Sequence, residues 1–300
     1  MDRGRSPLKS PGFHVVAGLV PAAFLGVFYF YPLSGIFIKS FFSEQTFRPG
    51  FLPEFFSSPR IISIIWFTIW QAALSTLLTF VFALPCAHVM ARYDFFGKRM
   101  VMILATIPFV LPTVVVAAAF RAVGGAKGFV PLPLFEHPLF LILLAHVFYN
   151  FSVVLRIVST HLSYIRHEVS EAAYMLGASG LKTFFRVTLP MLRPSIFASC
   201  LLVFIFCFSS FGVILILGGP GYSTIEVEIF QQAVHMFNLP AASLLSIVQI
   251  MITFAVMYGY TAFQKKTLKY VPESESLSLK RPSTRKERVI VGTAVLFVLI

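Results

Sequence analysis

Apolar residues run through this chain in long blocks separated by polar stretches, most of them short. Six blocks, 13–38, 61–91, 101–120, 138–155, 194–217 and 240–264, come near or exceed the ~20 residues that a helix needs to span a bilayer. The pattern predicts an all-α, polytopic membrane protein with six spans. The second block runs 31 residues without an Asp, Glu, Lys or Arg, so its helix tilts, projects beyond the lipid or kinks at Pro85. Pro108 and Pro112 interrupt the third block, which a membrane tolerates when neighbouring helices satisfy the freed carbonyls. The first block is too long for a signal-peptide core and closes on no small-residue cleavage site.

One polar stretch, 159–193, is far longer than a connector between spans requires. Within it His167–Leu176 reads as a short helix, with Val169, Ala172, Ala173 and Leu176 on one face. Glu168 and Glu171 lie near its start, where the helix dipole favours negative charge. Gly177 fits the position after the last turn, where a left-handed backbone suits glycine. Ser179 is placed to cap a second helix running to about Thr188. Pro190 is expected to stop that helix and Pro194 to open the fifth span. Two short helices at an angle form a knob that serves either as a docking surface or as an interfacial hairpin joining two spans.

Charge orients this arrangement. Of the 24 Lys and Arg, nineteen fall before the first block, between the second and third, in and around the island, or after the sixth. The positive-inside rule then places the amino terminus, the island and the 266–288 linker in the cytoplasm, and Gly218–Asn238 outside. Charged residues are only 12% of the chain and hydrophobic ones 57%, against roughly a quarter charged in soluble domains. The basic excess sits in clusters between apolar runs, a membrane pattern rather than a nucleic-acid one. The three cysteines, Cys86, Cys200 and Cys207, show no metal-ligand spacing, and no disulfide framework, metal site or cofactor is expected. After the basic 266–288 segment, residues 289–300 are apolar again, repeating the layout of the amino terminus. In a helix those twelve residues cover about 18 Å, short of a ~30 Å core. They read as the start of a seventh span, or as a segment lying on the membrane surface.

The island carries Glu171-Ala172-Ala173, Gly177, Val187 and Leu189-Pro190. This pattern resembles the cytoplasmic coupling loop of ABC-importer permeases, with valine where isoleucine is common. Trp70-Gln71-Ala72-Ala73-Leu74-Ser75, Leu144–Asn150, Cys207–Phe211, Leu217-Gly218-Gly219-Pro220 and Thr224–Val227 resemble the first half of the thiamine/iron(III)-type fused permeases of that family. The resemblance implies a six-span permease domain over 13–265, after a cytoplasmic amino terminus at 1–12. It implies partners too: ATPase subunits docked on the island, a periplasmic or extracellular solute-binding protein, and a second permease half or a second copy. The solute implied is thiamine, with iron(III) second. A second Glu-Ala-Ala loop is absent, which departs from the fused pattern.

Other polar residues are candidates for the pathway or a gate. His146 and Asn150 lie four apart on one helix face, suited to an interhelical hydrogen bond or to lining a path. Ser209 and Ser210 stand beside them as candidates. Gly218 and Gly219 mark a helix stop or part of an external gate. Glu226 and Glu228 are the acidic residues of their loop, suited to a binding protein, a cationic solute or plain solvation. Gly177–Thr183 lacks the contiguous Gly-Lys-Ser/Thr of a phosphate loop, and no catalytic motif appears, so the chain is expected to be a transport component rather than an enzyme. The rival reading is a membrane-anchored assembly subunit whose island recruits a partner without transport.

Overall fold

A computed structural model describes residues 11–43, 46–47, 51–124, 128–130, 133–165, 167–267 and 280–299. The expected amino-terminal segment, 1–12, lies almost wholly outside these residues, as do 268–279 of the linker. The chain divides into two compact units, Met1–Ile61 with Glu228–Val248, and Ile62–Val227 with Gln249–Ile300.

The first unit begins with helices α1 (Pro11–Leu25) and α2 (Tyr31–Phe41), joined by a wide π turn at Gly26–Phe30. They expose Phe24, Phe28 and Tyr31, as suits a helix whose surroundings are lipid or another apolar helix. A two-residue antiparallel pair follows, Phe42–Ser43 against Thr46–Phe47, then α3 (Phe51–Ser57).

In the second unit, α4 (Pro59–Arg92, which starts in the first) runs 34 residues unbroken, about 51 Å at 1.5 Å per residue. It exceeds the bilayer core, as its 31-residue charge-free stretch between Arg60 and Arg92 implies, and it passes Pro85 without a break. The third apolar block is not one straight span. Helices α5 (Lys98–Leu104) and α6 (Ile107–Val110) form one arm and α7 (Thr113–Gly124) the other, bent by 95° at Leu111-Pro112. Pro112 has no N–H to continue the ladder, and the residue before a proline is pushed into extended backbone. Leu111 accordingly has ψ 145°.

After α8 (Pro133–Glu136), α9 (Pro138–Ser163) is a long span. The island follows as α10 (His167–Met175), α11 (Gly180–Thr183), a π turn at Phe184–Thr188 and α12 (Leu189–Met191). Pro190 does not stop the second island helix as expected. A π turn ends at Thr188, two residues before it, and helical backbone runs on to Met191. The change of direction comes one residue later, at Leu192, where α13 (Arg193–Phe208) leaves at 68°.

The expected fifth span, 194–217, is also corrected. It breaks at Ser209–Phe211, and α14 (Gly212–Leu217) is a separate helix. Next come α15 (Ile225–Phe230), a π turn at Gln231–His235, and the last long apolar helix, α16 (Leu239–Thr267). Helix α17 (Arg285–Leu299) is the last described element. Among the described residues four helices are long and apolar enough to cross a membrane, or up to six if each bent pair is one span.

The core of the second unit sits where α7, α9 and α14 meet. Ala117, Ile142, Ala145, Val213 and Ile214 are buried there. Small residues let these helices approach closely, which is the usual route to helix association in lipid.

Candidate functional site

The sequence singles out two places, and the structure gives each a definite geometry. The first is a polar cluster inside the second unit. His146 on α9 is hydrogen-bonded through Nδ1 to Ser75 Oγ on α4 (3.0 Å) and through Nε2 to Ser210 Oγ at the α13–α14 break (2.9 Å). A neutral imidazole has one donor and one acceptor nitrogen, so one serine donates to the ring and the other accepts from it. Asn150 Nδ2 donates to His146 O (3.0 Å) and to Cys207 Sγ (3.4 Å). All these side chains are buried. Ser209, beside the cluster, ends α13 and is half-buried.

The break in α13 has a physical cost that the cluster offsets. Cys207 O loses the amide that a continuing helix would supply, and an unmet backbone group in a membrane interior costs several kcal/mol. Gln71 Nε2 donates to it at 3.0 Å. The same device recurs twice. Arg156 donates to Met102 O (3.1 Å) and to Thr106 Oγ1 where α5 gives way to α6. The Ile225 N–H at the start of α15 donates to Thr68 Oγ1 (3.0 Å). In these three places a helix end is met by a side chain of a long unbroken helix. Sequence reasoning gave no role to Thr68, Gln71 or Ser75. The signal was present: with Thr79 they repeat at intervals of three and four along α4, a polar stripe on an otherwise apolar helix. Gln71 Oε1 and Asn150 Oδ1 are buried without a hydrogen-bond partner among the described residues.

Gly218 is required by close approach. A Cβ there would lie 2.6 Å from Ile214 O and press on Tyr222 O. Gly219 has φ +63° and starts a short 3₁₀ turn. The segment after it is not a solvated loop, because it is mostly helix. Glu228 is fully buried, with Oε2 3.1 Å from Arg60 Nη2 and Oε1 accepting from Gln232 Nε2 at 2.7 Å. Glu226 accepts from Gln249 Nε2 at 2.6 Å, and burial raises its carboxyl above the usual range. Both carboxylates are therefore engaged within the chain. Among the described residues no group of three or more His, Cys, Asp or Glu is placed to hold a metal ion.

The second place is the island. Helix α10 ends in a Schellman motif: Ala178 N–H donates to Ala173 O (3.0 Å) and Gly177 N–H to Tyr174 O (2.9 Å), with Gly177 at φ +79°. Ser179 caps α11, its Oγ accepting from Lys182 N–H at 3.4 Å. The inward side is polar and buried at Ser170, Thr183 and Thr188. Outward lie Glu171 and Ala172, with Met175 and Leu176 each 89% exposed, Leu181 74% and Phe185 61%. Ala173, Val187, Leu189 and Pro190 are half-buried beneath this apolar crown. Glu171, Ala172, Ala173, Gly177, Val187, Leu189 and Pro190 thus share one knob, whereas His146, Asn150 and Ser210 belong to a cluster within the helix bundle.

Long apolar helices, breaks met by polar side chains and a protruding two-helix knob are features of a polytopic membrane protein. Comparison with known proteins places it more closely. The chain belongs to the family of binding-protein-dependent transport system inner membrane components, whose pattern matches residues 80–269. It is 31% identical over 246 residues to the thiamine transport system permease protein ThiP of Haemophilus influenzae, covering 79% of this chain and 44% of that protein. It is 29% identical over 208 residues to a probable sulfate transport system permease protein, cysT, of Prototheca wickerhamii, covering 67% and 82%. The chain spans about half the length of the thiamine permeases it matches. A chain of the crystal structure of a bacterial ABC transporter involved in import of alginate has the same fold, with TM-score 0.69, 17% identity, and coverage of 85% of this chain and 96% of that one. A chain of a bacterial alginate ABC transporter in complex with an alginate pentasaccharide-bound periplasmic protein gives TM-score 0.67 at 16% identity, with coverage of 88% and 96%. The family is one of transport components, not of enzymes.

Proposed function

We propose that this chain is a membrane-spanning permease half of an ATP-driven importer, moving a small solute into the cytoplasm of a bacterium. The observation that carries the reading is the island. It is a knob with an apolar crown, held rigid by a Schellman turn and an N-cap, and it lies inside the region shared with the family. An exposed apolar cluster of this kind marks an interaction site. Its partner is the ATPase subunit, with Glu171, Ala172, Ala173, Gly177, Val187, Leu189 and Pro190 forming the docked element. A solute-binding protein delivers solute at the opposite face. A second permease half, or a second copy, completes the path.

In this reading residues 1–12 and 266–288 are cytoplasmic, 13–265 form the permease domain with its coupling loop at 159–193, and the apolar part of α17 lies beyond that domain. Thiamine is the favoured solute, on the strength of the thiamine-permease relatives. A sulfate-like oxyanion is second, and iron(III) receives no support from these relatives. His146, Asn150, Ser209 and Ser210 act by holding the α13–α14 break in shape beside the path, and Gly218, Gly219, Glu226 and Glu228 shape its outer end.

Cysteine labelling tests the orientation on which all of this depends. Ser223→Cys should react with an impermeant external reagent in intact cells and Ser274→Cys should not. The reverse pattern removes the island from the ATP side and refutes the proposal.

A further inference from the structure

The island end of α4 touches two things at once. On one side it meets the island: Arg92 Nη2 lies 3.5 Å from the buried Ser170 Oγ, and the His88 ring packs edge-on against Phe184 with centroids 5.6 Å apart. On the other it meets the segment leading into α17. Lys280 N–H donates to Arg92 O (3.1 Å), and Asp94 N–H donates to Lys280 O (3.0 Å), forming a one-residue parallel bridge between Tyr93 and Lys280. The last carbonyls of a helix have no partner within it, so this bridge satisfies one that α4 must otherwise leave to water.

Lys280 is bound at its other end as well. Its Nζ sits 2.6 Å from Glu287 Oε1. Glu287 Oε2 accepts from Thr284 N–H (3.1 Å) and Ser283 N–H (2.9 Å), while Thr284 Oγ1 accepts from Glu287 N–H (3.3 Å). This is a capping box. One residue thus joins the end of α4, by its backbone, to the first turn of α17, by its side chain. Further along, Phe297 of α17 stacks on Phe82 of α4 at 5.9 Å and 27°. Phe82 and Arg92 lie about 15 Å apart along the helix axis. Two attachments that far apart fix the direction of α17 relative to α4, not merely its position.

We propose that residues 88–94 form a two-sided junction that ties the island to α17, so that a displacement of the island carries α4 and α17 together. The proposal rests on the reading of the island as the ATPase docking element. It adds a partner for the motion, the helix that follows the permease domain, and a positioning residue, Lys280, that lies outside the island.

Two variants act on the bridge in opposite directions. Lys280→Pro removes the N–H given to Arg92 O. Tyr93→Cys with Lys280→Cys places two cysteines at bridged positions, where strand-like Cα spacing permits a disulfide. Spin labels at Val81 on α4 and Leu296 on α17 report their separation in the purified full chain. That separation should be narrow in the parent chain and unchanged when ATPase subunits and ATP are added. It should broaden or shift with Lys280→Pro. Solute-stimulated ATP hydrolysis by the reconstituted complex should fall about fivefold or more with Lys280→Pro while ATPase co-purification stays at the parent level. The disulfide-locked variant should keep stimulation near the parent level, and Lys280→Ala, which retains the N–H and loses only an exposed ion pair of small energy, should keep most of it.

Parent-like distances and stimulation with Lys280→Pro would overturn the junction, and so would loss of stimulation in the locked variant. If Lys280→Pro does not fold, the locked variant decides alone. If the parent chain binds no ATPase subunit, the reading of the island fails instead, and the label distances in the isolated chain still decide the junction.

Discussion

Replacing Gly177 isolates a single physical term at the island. Its φ of +79° lies in the left-handed region, and a Cβ built there meets no atom within 4 Å. Bulk is therefore not the obstacle, and steric displacement of the second island helix contributes nothing at the first side-chain atom. What remains is backbone strain, about 1–2 kcal/mol for an ordinary L residue and up to about 3 kcal/mol for an unfavourable one. A β-branched side chain is the worst case, and asparagine the best tolerated. The expected order of function is Gly, Asn, Ala, Val. For Gly177→Val, 1–3 kcal/mol corresponds to a loss of correctly shaped island of roughly five- to hundred-fold. The assay is the concentration of ATPase subunit needed to saturate the immobilised chain, alongside solute uptake in cells, with membrane abundance as the control. Abundance should hold in every variant, because the island lies outside the apolar helices. Parent-like affinity and uptake in Gly177→Val would refute the role of this turn in docking. An asparagine variant as poor as the valine variant would show that φ is not the reason.

Three further outcomes follow from particular contacts. Gln71→Leu leaves Cys207 O at the α13 break without its donor and should lower thermal stability in detergent by about 1–2 kcal/mol; an unchanged midpoint would show that the break needs no support. Gly212→Ala would place a Cβ 2.5 Å from Thr113 Oγ1 and 3.1 Å from Val114 Cγ2, so α7 and α14 must separate at a cost of about 1–3 kcal/mol; parent-like stability by thermal denaturation would contradict that close packing. Glu287 is held down to about 2, from 4.5, by Lys280 and then by the Thr284 and Ser283 amides; its folded value is depressed, so its support of the α17 cap is present above about pH 4.5 and lost as pH falls toward 2, and a spin label at Lys286 should gain mobility over that window but not between pH 5 and 8.

Much of this protein is written in its composition and periodicity. Long charge-free runs can hide their apolar surface only in lipid or against other helices, so the existence of α4, α9 and α16 follows from the sequence. Gly177, Ser179 and the Glu171–Ala173 run announce the island, because turn and cap chemistry is local. The sequence was silent where a residue's role depends on a partner far along the chain. Ser209–Phe211 reads as part of an apolar span; it becomes a break because Gln71, more than a hundred residues earlier, supplies the missing amide to Cys207 O. Glu228 reads as a loop carboxylate; it is buried because Arg60, 168 positions away, meets it. Lys280 reads as one charge in a basic linker, yet its backbone completes the end of α4. Periodicity reports which face of a helix is apolar. Which helix end goes unsatisfied, and which distant side chain reaches it, is settled only when the helices pack, since an unmet polar group in an apolar interior is too costly to leave without a partner.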